Sequence, residues 1–370
     1  MIDKIKLIAM YLPQYHEIPE NNEFWGKGFT DWTTVRSAKR YFKDIKQPKI
    51  PLNENYYDLS KAENIKWQVD LAKKYGIDGF CFYHYWFSSN KQLLQTPSEL
   101  FLKDKSLDMK FCFCWDNEPW KRTWDAQEGN AWSPVMDKKL AKTGKKTLVE
   151  FDYENEDGWK KHFDYLLPFF QDERYIKIDN KPVFMYCNYY KKEELKNMSE
   201  FWNSYAKQFG FDGICFIAHY HDVIKNDISD YTYFYQPHFA AWERCALPLR
   251  IIDRLKVRNK NRKKPIVYDY KRTWKRIIYQ AEKFKDKQYL YGAFVNYDDS
   301  PRRGEKGKCI KGKSEKIFSE YMQKLIDISK KYDKEYIFFT AWNEWGEGAY
   351  LEPDVEDKFK YLELISNLQK

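Results

Sequence analysis

Short runs of apolar, aromatic and β-branched residues recur along the 370-residue chain, and longer segments with a helical pattern separate many of them. The runs are almost continuously apolar, which is typical of strands that are covered on both faces. They predict eight strands, at residues 5–12, 77–86, 109–115, 182–187, 213–218, 231–235, 290–295 and 336–341.

Five of the intervening segments predict helices, at residues 61–75, 157–170, 194–209, 273–285 and 314–332. In the first of them, Ile65, Val69 and Ala72 recur at a spacing that places them on one helix face. Strands that alternate with helices favour a parallel α/β fold, and about eight strands favour a closed (β/α)₈ TIM barrel over an open sheet. No linker or repeat divides the chain, so we expect a single domain over residues 1–370.

The aromatic content changes the picture, because the chain contains 14 Trp, 30 Tyr and 26 Phe residues. Tyr and Trp offer a flat apolar face with a polar group at its edge. Sugars bind to such surfaces, since a pyranose ring has an apolar C–H face and a rim of hydroxyls. A Tyr-rich core in a compositionally biased protein is the alternative interpretation.

The seven cysteines form no C-x-x-C pair, and five of them (Cys81, Cys112, Cys114, Cys187 and Cys215) lie in predicted strands, where they are expected to be small core residues. No run resembles a signal peptide or a transmembrane span. We therefore expect a cytoplasmic protein.

The formal net charge is +9, and much of the excess lies in the basic stretch from Arg254 to Arg276. Such a stretch is usually a solvated face. It could also bind anionic lipid headgroups or a pyrophosphate-linked substrate, which would place the protein at the periphery of the inner membrane. The sequence contains no recognised nucleic-acid-binding motif, so nucleic acid is not expected as a partner.

The active site of a barrel of this type lies at the carboxyl ends of its strands. The residues that follow the predicted strands are polar and aromatic, whereas the strands themselves are apolar. As substrate-binding residues we select Tyr11, Gln14, Tyr15, His84, Tyr85, Trp86, Trp115, Asn117, Glu118, Tyr189, His219, Tyr220, Gln236, Asn296, Asp298, Asn343 and Trp345.

Two carboxyl groups are required for glycoside cleavage, one as the acid and the other as the base or nucleophile. Glu344 and Glu347 follow the last predicted strand, and a short helical turn would place both on one face. They are the predicted catalytic residues. Glu118 is a competing carboxylate that could pair with Glu344, or it could accept a hydrogen bond from a substrate hydroxyl.

Other enzyme classes are less favoured, because the chain lacks G-x-S-x-G, P-loop and G-x-G-x-x-G motifs. It also contains no D-x-D sequence, the spacing with which metal-dependent nucleotide-sugar transferases commonly hold a cation. No pair of histidines four residues apart indicates a metal site.

The motifs resemble those of the WbsX-type proteins of surface-polysaccharide gene clusters, which are similar to glycoside hydrolase family 99. The resemblance runs nearly from end to end. It is carried by segments 9–16, 31–33, 57–59, 76–87, 115–125, 174–183 and 297–302, and by the final N-E-W-G-E-G sequence at residues 343–348.

This resemblance implies a (β/α)₈ barrel without a metal or organic cofactor. It also implies a retaining endo-α-mannosidase mechanism, in which Glu344 deprotonates the sugar 2-hydroxyl to give a 1,2-anhydro intermediate. Glu347 would then act as general acid and afterwards as base. Family 99 commonly has a histidine where this chain has Gly346, so the substrate is expected to differ more than the mechanism.

We therefore expect a hydrolase or transglycosidase that acts on an oligosaccharide or polysaccharide in bacterial surface polysaccharide metabolism, such as lipopolysaccharide synthesis. The WbsX group is often described as glycosyltransferases of O-antigen or capsule biosynthesis, and that function is the first alternative. A glycan-binding barrel without catalytic activity is the second alternative, and the intact pair of glutamates argues against it.

Overall fold

The computed structural model describes residues 4–121, 147–188, 191–219, 228–243, 247–259 and 261–368. Within these residues, eight parallel strands form a closed barrel: β1 (Lys6–Tyr11), β2 (Gly79–Ser88), β3 (Lys110–Trp115), β4 (Lys181–Tyr186), β5 (Cys215–His219), β6 (Tyr231–Tyr233), β7 (Tyr289–Phe294) and β8 (Tyr336–Thr340). Each strand pairs with the next one in the chain, and β8 pairs with β1 to close the barrel. The (β/α)₈ prediction and all eight predicted strands are confirmed.

Helices surround this barrel. Those in the described residues are α1 (Pro19–Trp25), α2 (Asp31–Arg36), α3 (Ala62–Lys74), α4 (Thr96–Lys103), α5 (Glu156–Phe170), α6 (Lys192–Tyr205), α7 (Leu247–Arg258), α8 (Tyr270–Lys283), α9 (Ser300–Arg303), α10 (Glu315–Lys331) and α11 (Lys360–Leu368). Each of the five predicted helices corresponds to one of them. Several start at a capping side chain: Asp269 accepts a hydrogen bond from the Arg272 amide at the start of α8.

Side chains alternate between the inside and the outside of the barrel along each strand. On β2, Phe82 points outward and packs against Phe101 of α4, with 5.5 Å between ring centroids. Its neighbours Tyr83 and Tyr85 point inward and line the cleft at the barrel mouth. In the same way Phe184 of β4 packs outward against Trp202 of α6.

The six cysteines in the described part of the chain are buried and form no disulfide. The five that were expected in strands therefore pack in or beside the barrel, as predicted. No helix in the described ranges is long and apolar enough to cross a bilayer.

Candidate active site

A cleft with a volume of about 380 Å³ lies at the carboxyl end of the barrel strands. Its walls come from loops that follow most of the strands. They consist of Leu12, Tyr83, Tyr85, Asp116, Glu118, Trp120, Cys187, Asn188, His219, Tyr235, His238, Glu243, Arg302, Arg303, Glu344 and Glu347. The two predicted catalytic glutamates therefore share one cleft with the competing carboxylate Glu118.

The two predicted catalytic glutamates lie in a tight hairpin that follows β8. Asn343–Glu344 pairs in antiparallel fashion with Ala349–Tyr350, and a 3₁₀ turn at Trp345–Glu347 connects the two short strands. Gly348 closes this turn at φ 58°, a left-handed conformation that favours glycine. The turn brings both carboxylates toward the same side, as the three-residue spacing predicted.

Arg302, at the end of the short helix α9, holds three carboxylates together. Its Nη2 donates to Glu344 Oε2 at 2.8 Å and to Asp31 Oδ2 at 3.0 Å, and its Nη1 donates to Glu347 Oε1 at 3.0 Å. Arg302, Asp31 and Glu344 are buried, and Glu347 is partly exposed to the cleft. One guanidinium thus fixes the position of both predicted catalytic groups.

Burial, together with the nearby charges of Glu347 and Asp31, raises the pKa of Glu344 to about 8, although Arg302 opposes the shift. One arginine cannot neutralise three ionised carboxylates, so the cluster holds a proton near neutral pH. Because the groups are in contact, this proton belongs to the cluster as a whole. A shared proton of this kind suits an acid–base pair.

A second layer of buried residues supports the hairpin that carries Glu344 and Glu347. The Asn343 side chain accepts a hydrogen bond from the Leu12 amide at 2.7 Å and donates one to the Leu12 carbonyl at 2.9 Å, which ties the hairpin to the end of β1. The Tyr15 hydroxyl donates to the Asn343 carbonyl. Behind them, Glu352 accepts hydrogen bonds from Trp345 Nε1 and from the Tyr57 hydroxyl.

Five predicted residues line the cleft: Tyr85, Glu118, His219, Glu344 and Glu347. They come from the ends of β2, β3, β5 and β8, four strands that only the closed barrel brings together. Two further predicted residues, Tyr189 and Tyr220, lie outside the described residues.

Four predicted residues point away from the cleft, and the expectation that they line it is corrected here. Tyr11 packs on Phe82 and reaches Gln68 of α3. His84, Trp86 and Trp115 surround His162 of α5, with ring-centroid distances of 5.1, 4.5 and 5.0 Å respectively. Each of these four residues is adjacent in the chain to a residue that faces the cleft. Because successive side chains of a strand point to opposite sides, each of the four points toward the surrounding helices.

The remaining predicted residues are buried supports or line another cavity. Gln14, Tyr15, Asn117, Gln236, Asn343 and Trp345 are all at most 2% exposed. Asn117, for example, links the loops after β3 and β4 through hydrogen bonds to the backbone of Asn188. Asn296 and Asp298 line a separate cavity of about 330 Å³, although the Asp298 amide donates to the Glu347 carbonyl at 2.7 Å. Their positions outside the cleft do not support direct contact with the substrate, which stays a prediction.

The candidate list omitted several residues that line the cleft. Burial raises the pKa of Asp116 to about 7, so this carboxyl is a further acid–base candidate. Asp116, Asn188 and His238 all follow predicted strands and so meet the strand-end criterion, although they were not among the selected residues. Arg302 lies within a family-like segment, but no pattern around it indicated its three carboxylate partners.

Gly346 lies where a side chain would collide with the carboxylate cluster. A Cβ atom at this position would lie 2.5 Å from Arg302 Nε and 2.8 Å from Asp31 Oδ1. The Arg302–Asp31 pair therefore leaves no room for a side chain at position 346 in this arrangement.

The chain matches the profile of the family described as Glycosyltransferase WbsX over residues 7–365. The chain belongs to the WbsX family. Its relatives include the WxcX proteins of two strains of Xanthomonas campestris pathovar campestris, which are 26% and 27% identical over 362 residues. Those residues cover 96% of this chain and 48% of each relative, so the chain spans about half the length of the curated relatives it matches.

Solved structures share the fold of this WbsX-family chain at low sequence identity. A glycoside hydrolase-like protein aligns over 99% of this chain and 94% of its own, with a TM-score of 0.61 and 11% identity. The family 99 endo-alpha-mannosidase from Bacteroides thetaiotaomicron aligns over 98% and 96%, with a TM-score of 0.58 and 14% identity. At these identities the comparison shows a shared barrel fold.

Across the described residues of this WbsX-family protein, no group of three or more His, Cys, Asp or Glu side chains is arranged to hold a metal ion.

Proposed function

We propose that this WbsX-family protein cleaves or transfers α-linked mannoside-like units of a bacterial surface polysaccharide, as a retaining endo-acting enzyme. The observation that carries the proposal is the pair Glu344 and Glu347 on one arginine at the barrel mouth. The shared fold with an endo-alpha-mannosidase supports the same reaction class.

In the proposed reaction, ionised Glu344 takes the proton from the sugar 2-hydroxyl, whose oxygen then attacks the anomeric carbon. Glu347 delivers a proton to the leaving oxygen and later takes one from the incoming water or acceptor hydroxyl. Arg302 holds both carboxylates in place, and the partial exposure of Glu347 gives it access to the leaving group. In the second step the water or acceptor oxygen attacks the anomeric carbon, the bond between that carbon and the 2-oxygen breaks, and Glu344 returns its proton to the 2-oxygen.

A glycosyltransferase is the second candidate, because the family that the chain matches is described by that activity. The two candidates differ in donor: a transglycosidase takes its sugar from a glycoside, and a transferase takes it from a sugar nucleotide. The purified protein should be incubated with aryl α-mannosides, polysaccharide repeat units and sugar nucleotides, separately and together. Turnover of glycosides without any nucleotide supports the proposal, whereas transfer that requires a sugar nucleotide would replace it.

The acid–base roles make a prediction about pH. As a base, Glu344 must be ionised, so kcat/KM should rise with pH through the pKa of about 8 that burial imposes on it. The slope below that pH should approach about tenfold per pH unit, because kcat/KM reports ionisations of the free enzyme. The measurement is the pH profile with an aryl α-mannoside, with Glu344→Gln as the control that should lose this limb. Activity that instead falls as pH rises through this value would make Glu344 the acid.

We also propose that α7 contacts an anionic membrane surface, as the basic stretch from Arg254 to Arg276 suggested. Ile251, Ile252 and Leu255 of α7 are exposed by 51%, 46% and 63%, and basic residues flank them on the same helix. An amphipathic, basic helix of this kind binds at a lipid interface. Location at the cytoplasmic side of the inner membrane stays a prediction.

Binding to vesicles that contain anionic phospholipid tests this contact. Each basic residue near such a surface contributes about 1 kcal/mol, and added salt weakens that attraction. Leu255→Asp should weaken vesicle binding, whereas Val355→Asp, at a residue that is 45% exposed elsewhere, should not. Vesicle binding that is insensitive to salt, or equal in both variants, would contradict the proposed contact.

A further inference from the structure

We propose that a side cavity next to the catalytic cleft binds a phosphate or diphosphate group on the leaving-group side of the substrate. The inference rests on the proposed function and narrows its substrate class. The cavity has a volume of about 320 Å³ and shares His238, Arg303 and Glu347 with the cleft. A ligand in the cleft can therefore extend into it without leaving the protein surface.

Basic side chains dominate the walls of this side cavity. Arg262, Arg303, Lys306 and Lys308 line it, and the carboxylates that line it are Asp299 and Glu347. The nearest ion pairs are long: Lys308 Nζ lies 3.7 Å from Asp253 Oδ2, and Arg303 Nε lies 3.4 Å from Asp299 Oδ2. These basic side chains would stabilise a bound anion electrostatically, and phosphate oxygens accept hydrogen bonds from both lysine and arginine.

Two of the basic residues that line the side cavity, Lys308 and Arg262, are held in place by contacts within the fold. Lys308 starts the short strand Lys308–Lys311, and its ammonium lies 4.5 Å from the centroid of the Trp242 ring. Arg262 donates from Nε to the Glu305 carbonyl at 2.9 Å and from Nη1 to the Lys256 carbonyl at 3.3 Å. Burial lowers the pKa of both Arg262 and Lys308, because water solvates their positive charges poorly in the cavity. A bound anion would stabilise these charges.

Glu347 lines both the cleft and the side cavity. This position relates the proposed anion site to the reacting glycosidic bond. Since Glu347 is the proposed acid, it faces the leaving oxygen, and the side cavity lies beyond that oxygen. The expected substrate is a glycan whose leaving-group sugar carries a phosphate or diphosphate, as in a diphosphate-linked carrier or a phosphodiester-substituted chain. Val257 of α7 also lines the cavity, so a lipid carrier would emerge beside the proposed membrane contact.

Binding of inorganic pyrophosphate and inorganic phosphate to the full protein, measured by titration calorimetry, tests this cavity without using activity. Lys308→Met and Arg262→Gln should each weaken binding by about tenfold, the typical value of one hydrogen bond to a charged group. Lys311→Met is the matched control, because Lys311 belongs to the same short strand and pairs with Asp44 at 2.7 Å outside the cavity. Its binding should equal that of the wild type. A preference for pyrophosphate indicates a diphosphate carrier, and a preference for phosphate indicates a phosphodiester substituent.

Equal affinity in all variants, or no binding of either anion by the wild type, would overturn the proposal. Loss of binding only in Arg272→Gln would also overturn it, because Arg272 lines a different cavity beside α8. Pyrophosphate should inhibit hydrolysis of aryl mannosides by the wild type, and Lys308→Met and Arg262→Gln should each weaken that inhibition. Hydrolysis without anion binding would leave the proposed function intact, so the two failures are distinguishable. Thermal unfolding of each variant shows whether a loss reflects misfolding.

Discussion

Replacement of Glu344 with alanine is expected to abolish turnover of activated aryl glycosides and of natural linkages alike. Glu344 is proposed to remove the proton from the 2-hydroxyl, a step that forms the intermediate whatever the leaving group is. General acid–base assistance of this kind contributes on the order of 10²–10⁴ in rate. A 2-deoxy substrate should fail with the wild type for the same reason. The measurement is kcat/KM for both substrate types.

Glu347→Ala should behave differently, because an acid matters most when the leaving group is poor. This variant should retain much more activity on an activated aryl glycoside than on the natural linkage. The ratio of the two losses, compared between the variants, therefore reports the two roles. Equal losses for both variants would remove the role assignment.

Glu118 provides the matched comparison, since it lines the same cleft and comes from the end of β3. Glu118→Ala should leave the leaving-group dependence unchanged, even if it weakens substrate binding. Full activity in Glu344→Ala together with loss in Glu118→Ala would move the catalytic pair to Glu118 and Glu347.

Removal of the Arg302 guanidinium should produce the largest loss of stability. Arg302→Met leaves Asp31, Glu344 and Glu347 close together without their shared counter-ion. Removing one partner of a buried ion pair typically costs about 3–5 kcal/mol in the free energy of unfolding. Urea unfolding at several pH values measures this loss.

The sign of its pH dependence follows from linkage. The folded-state pKa of Glu344 is already about 8, above its unfolded value of about 4, and loss of Arg302, which lowers this pKa, raises it further. The unfolded state then binds fewer protons than the folded state between those values, so the stability of the variant falls as pH rises. The deficit relative to the wild type should be small in acid and largest at alkaline pH. A deficit that is independent of pH would contradict this account.

Arg303→Met is the control for this experiment. Arg303 is the next residue in the chain, but it is about one-third exposed and its pair with Asp299 is 3.4 Å long. A partly exposed pair contributes about 1 kcal/mol or less. A loss in Arg303→Met as large as that in Arg302→Met would show that the helix α9 itself, and not the carboxylate cluster, is responsible.

The eight strands could be predicted from the sequence because each is buried on both sides and is therefore apolar over most of its length. For the same reason, the sequence did not show which side chains point into the barrel and which point toward the helices. Tyr83, His84, Tyr85 and Trp86 are consecutive and all aromatic, yet Tyr83 and Tyr85 face the cleft while His84 and Trp86 pack under α5. A strand that faces water on one side would have shown this alternation; a central barrel strand does not.

The sequence by itself determined the barrel, the segment that carries Glu344 and Glu347, and the expectation of carboxylate chemistry at the ends of the strands. The sequence could not show the contacts of Arg302, because the partners of this residue are far from it along the chain. Arg302 lies 42 residues from Glu344 and 271 residues from Asp31, and no local pattern records that these groups meet. Only closure of the barrel brings the loops after β1, β7 and β8 to one point, where burial then lets the carboxylate cluster keep a proton near neutral pH.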